Sequence, residues 1–260
     1  MKQAFRACLA TARLCLKEQS YFGFANLLAQ YLLQAGSLAA LLMIRRSLFL
    51  QGVDLEGMRL SQFYTYTVLS TMLAPLLNIH TPASGWLHDG TMLGLYQRPA
   101  GIFAQLAAHT VGGWCMRLLC LSLPVFVISL ACGLDMRPAS LWFFPSLILS
   151  VLQGFAVDFL FACLLIRMKN LEWTVHCLRE ALTALFTGSL IPFAILPWGI
   201  GDFLQLSPFG TLAGAPLAIY TGLSEPGLLI VTQVIWNIIL WPLAVYCFKA
   251  SGERMVSYGG

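Results

Sequence analysis

The side chains able to do chemistry in this chain sit where charge is costly. Glu172, His176 and Glu180 recur at i, i+4 and i+8 in an otherwise apolar run, and Thr183 and Thr187 continue nearby. Such a face is polar enough to line a pore. The His176/Glu180 spacing would also suit a metal, but a hydrated or paired helix face accounts for it, and no metal set is expected. Arg117 and Asp158 lie inside two further apolar runs joined by a short turn. Their midpoint falls at that turn, so at about 1.5 Å of rise per residue they sit at similar depth. Either they form an intramembrane ion pair, or Arg117 snorkels to the interface alone. Asn26, Gln30 and Gln34 put three amides on one helix face, either bonding between helices or walling a path. Tyr64, Thr67, Thr71 and Asn78 make a second run more polar than lipid contact requires. What is missing matters as much. There is no G-x-x-x-x-G-K-[ST], no H-E-x-x-H and no G-x-S-x-G. The chain carries no phosphate-cradling loop and no nucleophile with its base.

The elements that must hold these residues are membrane elements. Of 260 residues, 58% are hydrophobic and only 10% charged, with mean hydropathy +0.77. A soluble domain carries about 25% charged residues. The net charge of +4 is small and scattered, with no basic stretch interleaved with aromatics, so no nucleic-acid partner is expected. The eight cysteines form no C-x-x-C and mostly lie in apolar runs, where they read as small hydrophobes. Arg6 and Arg13 interrupt the N-terminus before it could serve as a signal peptide.

Residues 1–20 read as an amphipathic interfacial helix. Lys2, Arg6, Arg13 and Lys17 share one face beside an apolar stripe of Phe5, Leu9, Ala12 and Leu16. The transmembrane domain, residues 21–260, holds six expected spans near 21–44, 60–79, up to 133, 141–166, 171–190 and 228–248. Between the last two lies Gly188–Gly227, apolar but broken by Pro192, Pro197, Pro208, Pro216 and Pro226 and by five interior glycines. No piece of it reaches the roughly 20 residues that cross a bilayer. Broken backbone survives at membrane depth only when protein buries it or it lines a wet cavity. A re-entrant helical hairpin follows. With the N-terminus inside, the cytoplasmic segments hold Lys2, Arg6, Arg13, Lys17, Arg98, Arg167, Lys169, Lys249 and Arg254. The outer segments hold Arg45, Arg46, Arg59 and Arg137. This bias places both termini in the cytoplasm and the broken stretch outside.

Three segments bear a family likeness: Gly57–Leu77; WLHDGTMLGLYQRP at Trp86–Pro99; and Gly188–Gly222, with G-S-L-I-P, a later proline, S-P-F and P-L-A-I-Y-T-G. On these the chain resembles bacterial type-2 ABC transporter permeases, six-span proteins that act with a separate ATPase. The resemblance implies an all-α permease subunit of an ATP-driven exporter in the bacterial inner membrane. Two permeases, identical or related, would pair around a central path above two ATPase subunits, which would carry the ATP and magnesium. This chain would need no cofactor of its own. The loop 80–100 would be the coupling element, through Trp86, Leu87, His88, Asp89, Gly90, Leu93, Arg98 and Pro99. The first, second and fifth spans would line the path, through Asn26, Gln30, Gln34, Tyr64, Thr67, Thr71, His176, Glu180, Thr183 and Thr187. The outer hairpin, 188–227, would gate it through Pro192, Pro197, Pro208, Phe209 and Pro216. An amphiphile, drug, lipid or hydrophobic peptide would suit such a path. The competing reading from the residues is a secondary carrier or channel that works without an ATPase.

Overall fold

The computed structural model describes residues 2–21, 23–50, 59–88, 92–98, 100–168, 171–193, 196 and 199–256. Twelve α-helices and one π-turn follow in order among them, and no strand. They are α1 (Lys2–Tyr21), α2 (Gly23–Leu50), α3 (Leu60–Leu77), α4 (Ala83–His88), α5 (Met92–Tyr96), α6 (Ile102–Arg117), α7 (Leu123–Ala131), α8 (Phe143–Arg167), α9 (Glu172–Phe186), α10 (Ile200–Gln205), α11 (Gly210–Thr221) and α12 (Pro226–Val256). Residues 89–91, between α4 and α5, fall outside the described residues.

Three stretches are long and apolar enough to cross a membrane: Ile102–Ala131, Phe143–Leu165 and Pro226–Ser251. A shorter apolar stretch, Leu28–Ile44, lies within α2. The first of the three is α6 and α7 joined through a π-turn at Leu118–Ser122. Pro124 explains the turn. Its ring clashes with the carbonyl four residues back, at Cys120, and the wider π ladder relieves that clash without ending the helix.

Lipid tails are as apolar as leucine, so helices in a bilayer are held by close packing and hydrogen bonds. Here α8 is the hub. At one end Phe155, Ala156, Phe159, Ala162 and Cys163 pack with Met92 and Leu95 of α5, Leu106 of α6 and Ala244 and Phe248 of α12. At the other, Phe143 packs with Tyr66 and Leu69 of α3 and with Leu217 and Tyr220 of α11. Every residue of α11 is buried.

α1 lies along α6. Gly112 is where they touch most closely: a Cβ there would overlap the Ala12 carbonyl. The Cys8 thiol donates to the Ala104 carbonyl at 3.8 Å, and Cys15 Sγ sits 3.8 Å from His109 Nδ1. The packed face is therefore Cys8, Ala12 and Cys15. Of the apolar stripe foreseen in the sequence, Ala12 and Leu16 turn inward, while Phe5 and Leu9 stay exposed beside Arg6 and Arg13.

Gly112→Leu is expected to push α1 off α6, at a cost of about 1–3 kcal/mol for overpacking. Trypsin cleavage after Arg6 and Arg13 in detergent should then accelerate several-fold. Unchanged cleavage would mean that the α1–α6 contact does not hold the helix.

Candidate functional site

Asp158 on α8 does not meet Arg117. It pairs with Arg179 of α9, whose Nη1 donates to Asp158 Oδ1. The other carboxylate oxygen, Oδ2, accepts the Thr81 amide at 3.1 Å and the Thr81 hydroxyl. Arg179 Nη2 donates to the Ile79 carbonyl. The guanidinium carbon stands 5.9 Å from the centroid of the Phe161 ring. Asp158 is 3% exposed and Arg179 8%, so this pair is buried. Arg117 is exposed and makes no ion pair among the described residues. Equal depth was satisfied by two arginines, and azimuth around α8 selected the one on α9. The sequence carried the signal: Asp158 and Arg179 stand about equally far from the turn at Met168–Leu171, the same rule that suggested Arg117.

The clamp sets what surrounds it. Thr81 Oγ1 also accepts the Ala83 amide at 3.2 Å, starting α4. His80 Nε2 lies 3.2 Å from Glu180 Oε1, and the His80 and His176 rings are 6.1 Å apart. The His80 ring keeps an open edge, yet burial first, then the Arg179 and His176 charges, push its pKa down to about 3. The imidazole is therefore neutral, and its contact with Glu180 is a hydrogen bond rather than an ion pair.

The segment that follows is fixed to the core. Trp86 meets the His109 ring edge-on at 5.0 Å. Met92 and Leu95 are buried, and the Gln105 amide donates to the carbonyls of Leu95 at 3.1 Å and Ala100 at 2.6 Å. Arg98 is exposed. Asp89, Gly90 and Pro99 lie outside the described residues, as do the side chains of Leu87, His88 and Leu93.

Among the expected path residues, Gln34 donates to the Thr71 carbonyl at 3.2 Å, so its amide joins α2 to α3. Gln30 and Tyr64 are half-buried, and the side chain of Asn26 is outside the described residues. Thr67 and Thr71 return their hydroxyls to carbonyls one turn back, at 2.8 and 2.9 Å. On α9, His176 is exposed, Glu180 holds His80, and Thr183 and Thr187 bond to carbonyls of their own helix.

Beyond α9 the broken stretch is knitted inward. The Tyr66 hydroxyl donates to the Gly188 carbonyl at 2.5 Å, and Ser70 to that of Ser189 at 2.7 Å. Phe193 is wedged where Gly188 and Gly214 leave no Cβ. Pro192 and Pro216 are buried, Pro208 and Phe209 half-buried, and Pro197 lies outside the described residues. The Pro208 carbonyl accepts the Gln153 amide at 2.6 Å. Ser150 donates to the Leu212 carbonyl and Gln233 to that of Thr211 at 2.9 Å. Gln153 and Gln233 were passed over in the sequence because single amides in long apolar helices carry no periodic pattern.

The sequence model of one family, described as ABC-2 family transporter protein, matches residues 35–259. No curated protein and no solved structure matches the chain.

Asp158→Asn or Arg179→Met should each lower unfolding stability by about 3–5 kcal/mol, because each strands a buried charge or its donors. The double variant Asp158→Leu/Arg179→Met should recover most of that loss. Arg117→Gln should leave it unchanged. Additive losses in the double variant, read by denaturant unfolding in detergent, would rule out the pairing.

Proposed function

We propose, from the premise that this chain belongs to the ABC-2 family of transporter proteins, that it is the permease subunit of an ATP-driven exporter. One observation carries this: the family match runs over residues 35–259 of the 260. A chain without a phosphate-cradling loop then draws its energy from partner ATPase subunits, two per complex, which carry the ATP and magnesium. A second permease, identical or related, completes the path. The subunit spans the bacterial inner membrane six times with both termini in the cytoplasm, as the distribution of Lys and Arg favours. α1 lies in the inner headgroup layer, with Phe5 and Leu9 toward lipid and Arg6 and Arg13 toward phosphates.

α4 and α5, with Trp86 and Arg98, are the coupling element that meets the ATPase. The buried clamp supports this reading. Force applied at α4 reaches Thr81, and through Asp158 and Arg179 it reaches α9. α9 carries His176 and Glu180 on a face that the described residues leave largely open, suited to a path shared with the second permease. Its far end meets α3 at Tyr66 and Ser70 and opens into the broken stretch. That stretch is a re-entrant hairpin entering from the outer side, with α11 buried, and it gates release. Binding of ATP shifts the permease pair between two states only because the ATPases hold one of them better. The apolar path with amides and hydroxyls suits an amphiphilic cargo, whether drug, lipid or hydrophobic peptide.

Purification in mild detergent should bring down a stoichiometric ATPase whose hydrolysis depends on this subunit. A pure protein that transports without one would overturn the assignment. Within the complex, Arg98→Glu and Gly90→Pro should each leave hydrolysis running while transport falls at least tenfold. Normal transport in both would move the coupling element elsewhere.

A further inference from the structure

Loss of Asp158 as a partner leaves Arg117 with a question of its own. It sits in the middle of the apolar stretch Ile102–Ala131, where an unpaired cation is costly. The two acids near the inner clamp are taken, Asp158 by Arg179 and Glu180 by His80. Glu18 of α1 and Arg117 both act through space on Cys15, yet no ion pair joins them. Arg117 instead borders a cavity of about 270 Å³ between α1, the end of α3 and α6. Asn78, His109, Trp114, Pro75 and Pro82 share the wall.

The wall is specific about what it still offers. The Thr81 hydroxyl is committed to Asp158, the Thr110 hydroxyl to the Leu106 carbonyl at 2.9 Å, and His80 Nε2 to Glu180. Among the described residues, the Arg117 guanidinium, the Asn78 amide and the Trp114 indole N–H of this wall have no hydrogen-bond partner, and of these only Arg117 carries a charge. A planar cation with a neighbouring amide fits an oxyanion, and Arg matches phosphate with two parallel hydrogen bonds. Pockets that enclose a drug-sized ligand run to about 300–1,000 Å³, so this one holds a polar head and leaves any chains outside.

We propose that this cavity is a binding site for a phosphate group, with Arg117 as its counter-charge and Asn78 as a second donor. The phosphate comes from an anionic phospholipid of the surrounding leaflet or from a soluble phosphate ester. Occupancy ties α1 to α3 and α6, and it reaches α4 through the His109–Trp86 ring contact. The site rests on the chain being membrane-embedded and is independent of any ATPase.

The test uses the full-length chain, with any subunit that copurifies, in dodecyl maltoside. Thermal unfolding is followed with added dioleoylphosphatidylglycerol, with inorganic phosphate, and with uncharged dioleoylglycerol. A ligand that binds the folded state alone raises the midpoint. Phosphatidylglycerol should raise it by several degrees, and Arg117→Gln and Asn78→Leu should each remove more than half of that shift. A shift from phosphatidylglycerol but not from inorganic phosphate assigns the membrane source; a shift from both assigns the soluble one. Equal action by dioleoylglycerol, no shift in the native chain, or a shift retained in both variants would overturn the site. Asn78→Leu keeps Arg117 in place, so the test survives a misfolded Arg117→Gln.

Discussion

One carboxylate holds three parts of this chain together. Asp158 has no water to solvate it, so every lone pair in use must be met by protein. Thr81 supplies an amide and a hydroxyl and Arg179 its Nη1, while Nη2 of the same guanidinium reaches the Ile79 carbonyl. The end of α3, the entry to α4 and the middle of α9 are thereby fixed to α8 at one depth. Such a pair adds little net stability over apolar residues of equal size. Its effect is on register. α9 cannot slide or turn on α8 without stranding a charge, whereas an apolar contact would tolerate the slip.

The same requirement accounts for the broken stretch. Prolines and glycines release backbone carbonyls from the helical ladder, and lipid cannot take them. α8 and α12 supply the missing donors. Gln153 serves the Pro208 carbonyl, Ser150 that of Leu212, and Gln233 that of Thr211. Ser146 in turn donates to Gln233 Oε1 at 2.9 Å, so the amide is oriented before it is used. Small residues let the donors come close: Ala213, Gly214 and Ala215 are all buried in α11. The two glutamines and two serines would be hard to justify in helices that faced only lipid. They are explained by the helix they serve.

Much of this was legible from residue order. The broken segment, the membrane class and the family likeness all rest on local patterns, and local patterns survive without coordinates. Depth was legible too, because helix rise is constant. Azimuth was not. Helix rise allows both Arg117 and Arg179 the depth of Asp158, and only the packing of α9 against α8 decides between them. The amide face of α2 shows the same limit. Three amides at helical spacing predict an inward face, but only the placement of α3 shows that Gln34 spends its amide on the Thr71 carbonyl.

α9 is anchored at its middle and just past its C-terminal end. Arg179, the central residue of the 15, is fixed to Asp158, and the chain just past the helix by the hydrogen bonds of Tyr66 to Gly188 and of Ser70 to Ser189. Gly188 then turns at φ +71°, a conformation that side chains disfavour, with Phe193 packed where its Cβ would be. The buried charge thus sets the register of α9 against α8, and the positive-φ glycine turns the chain only after the helix has ended.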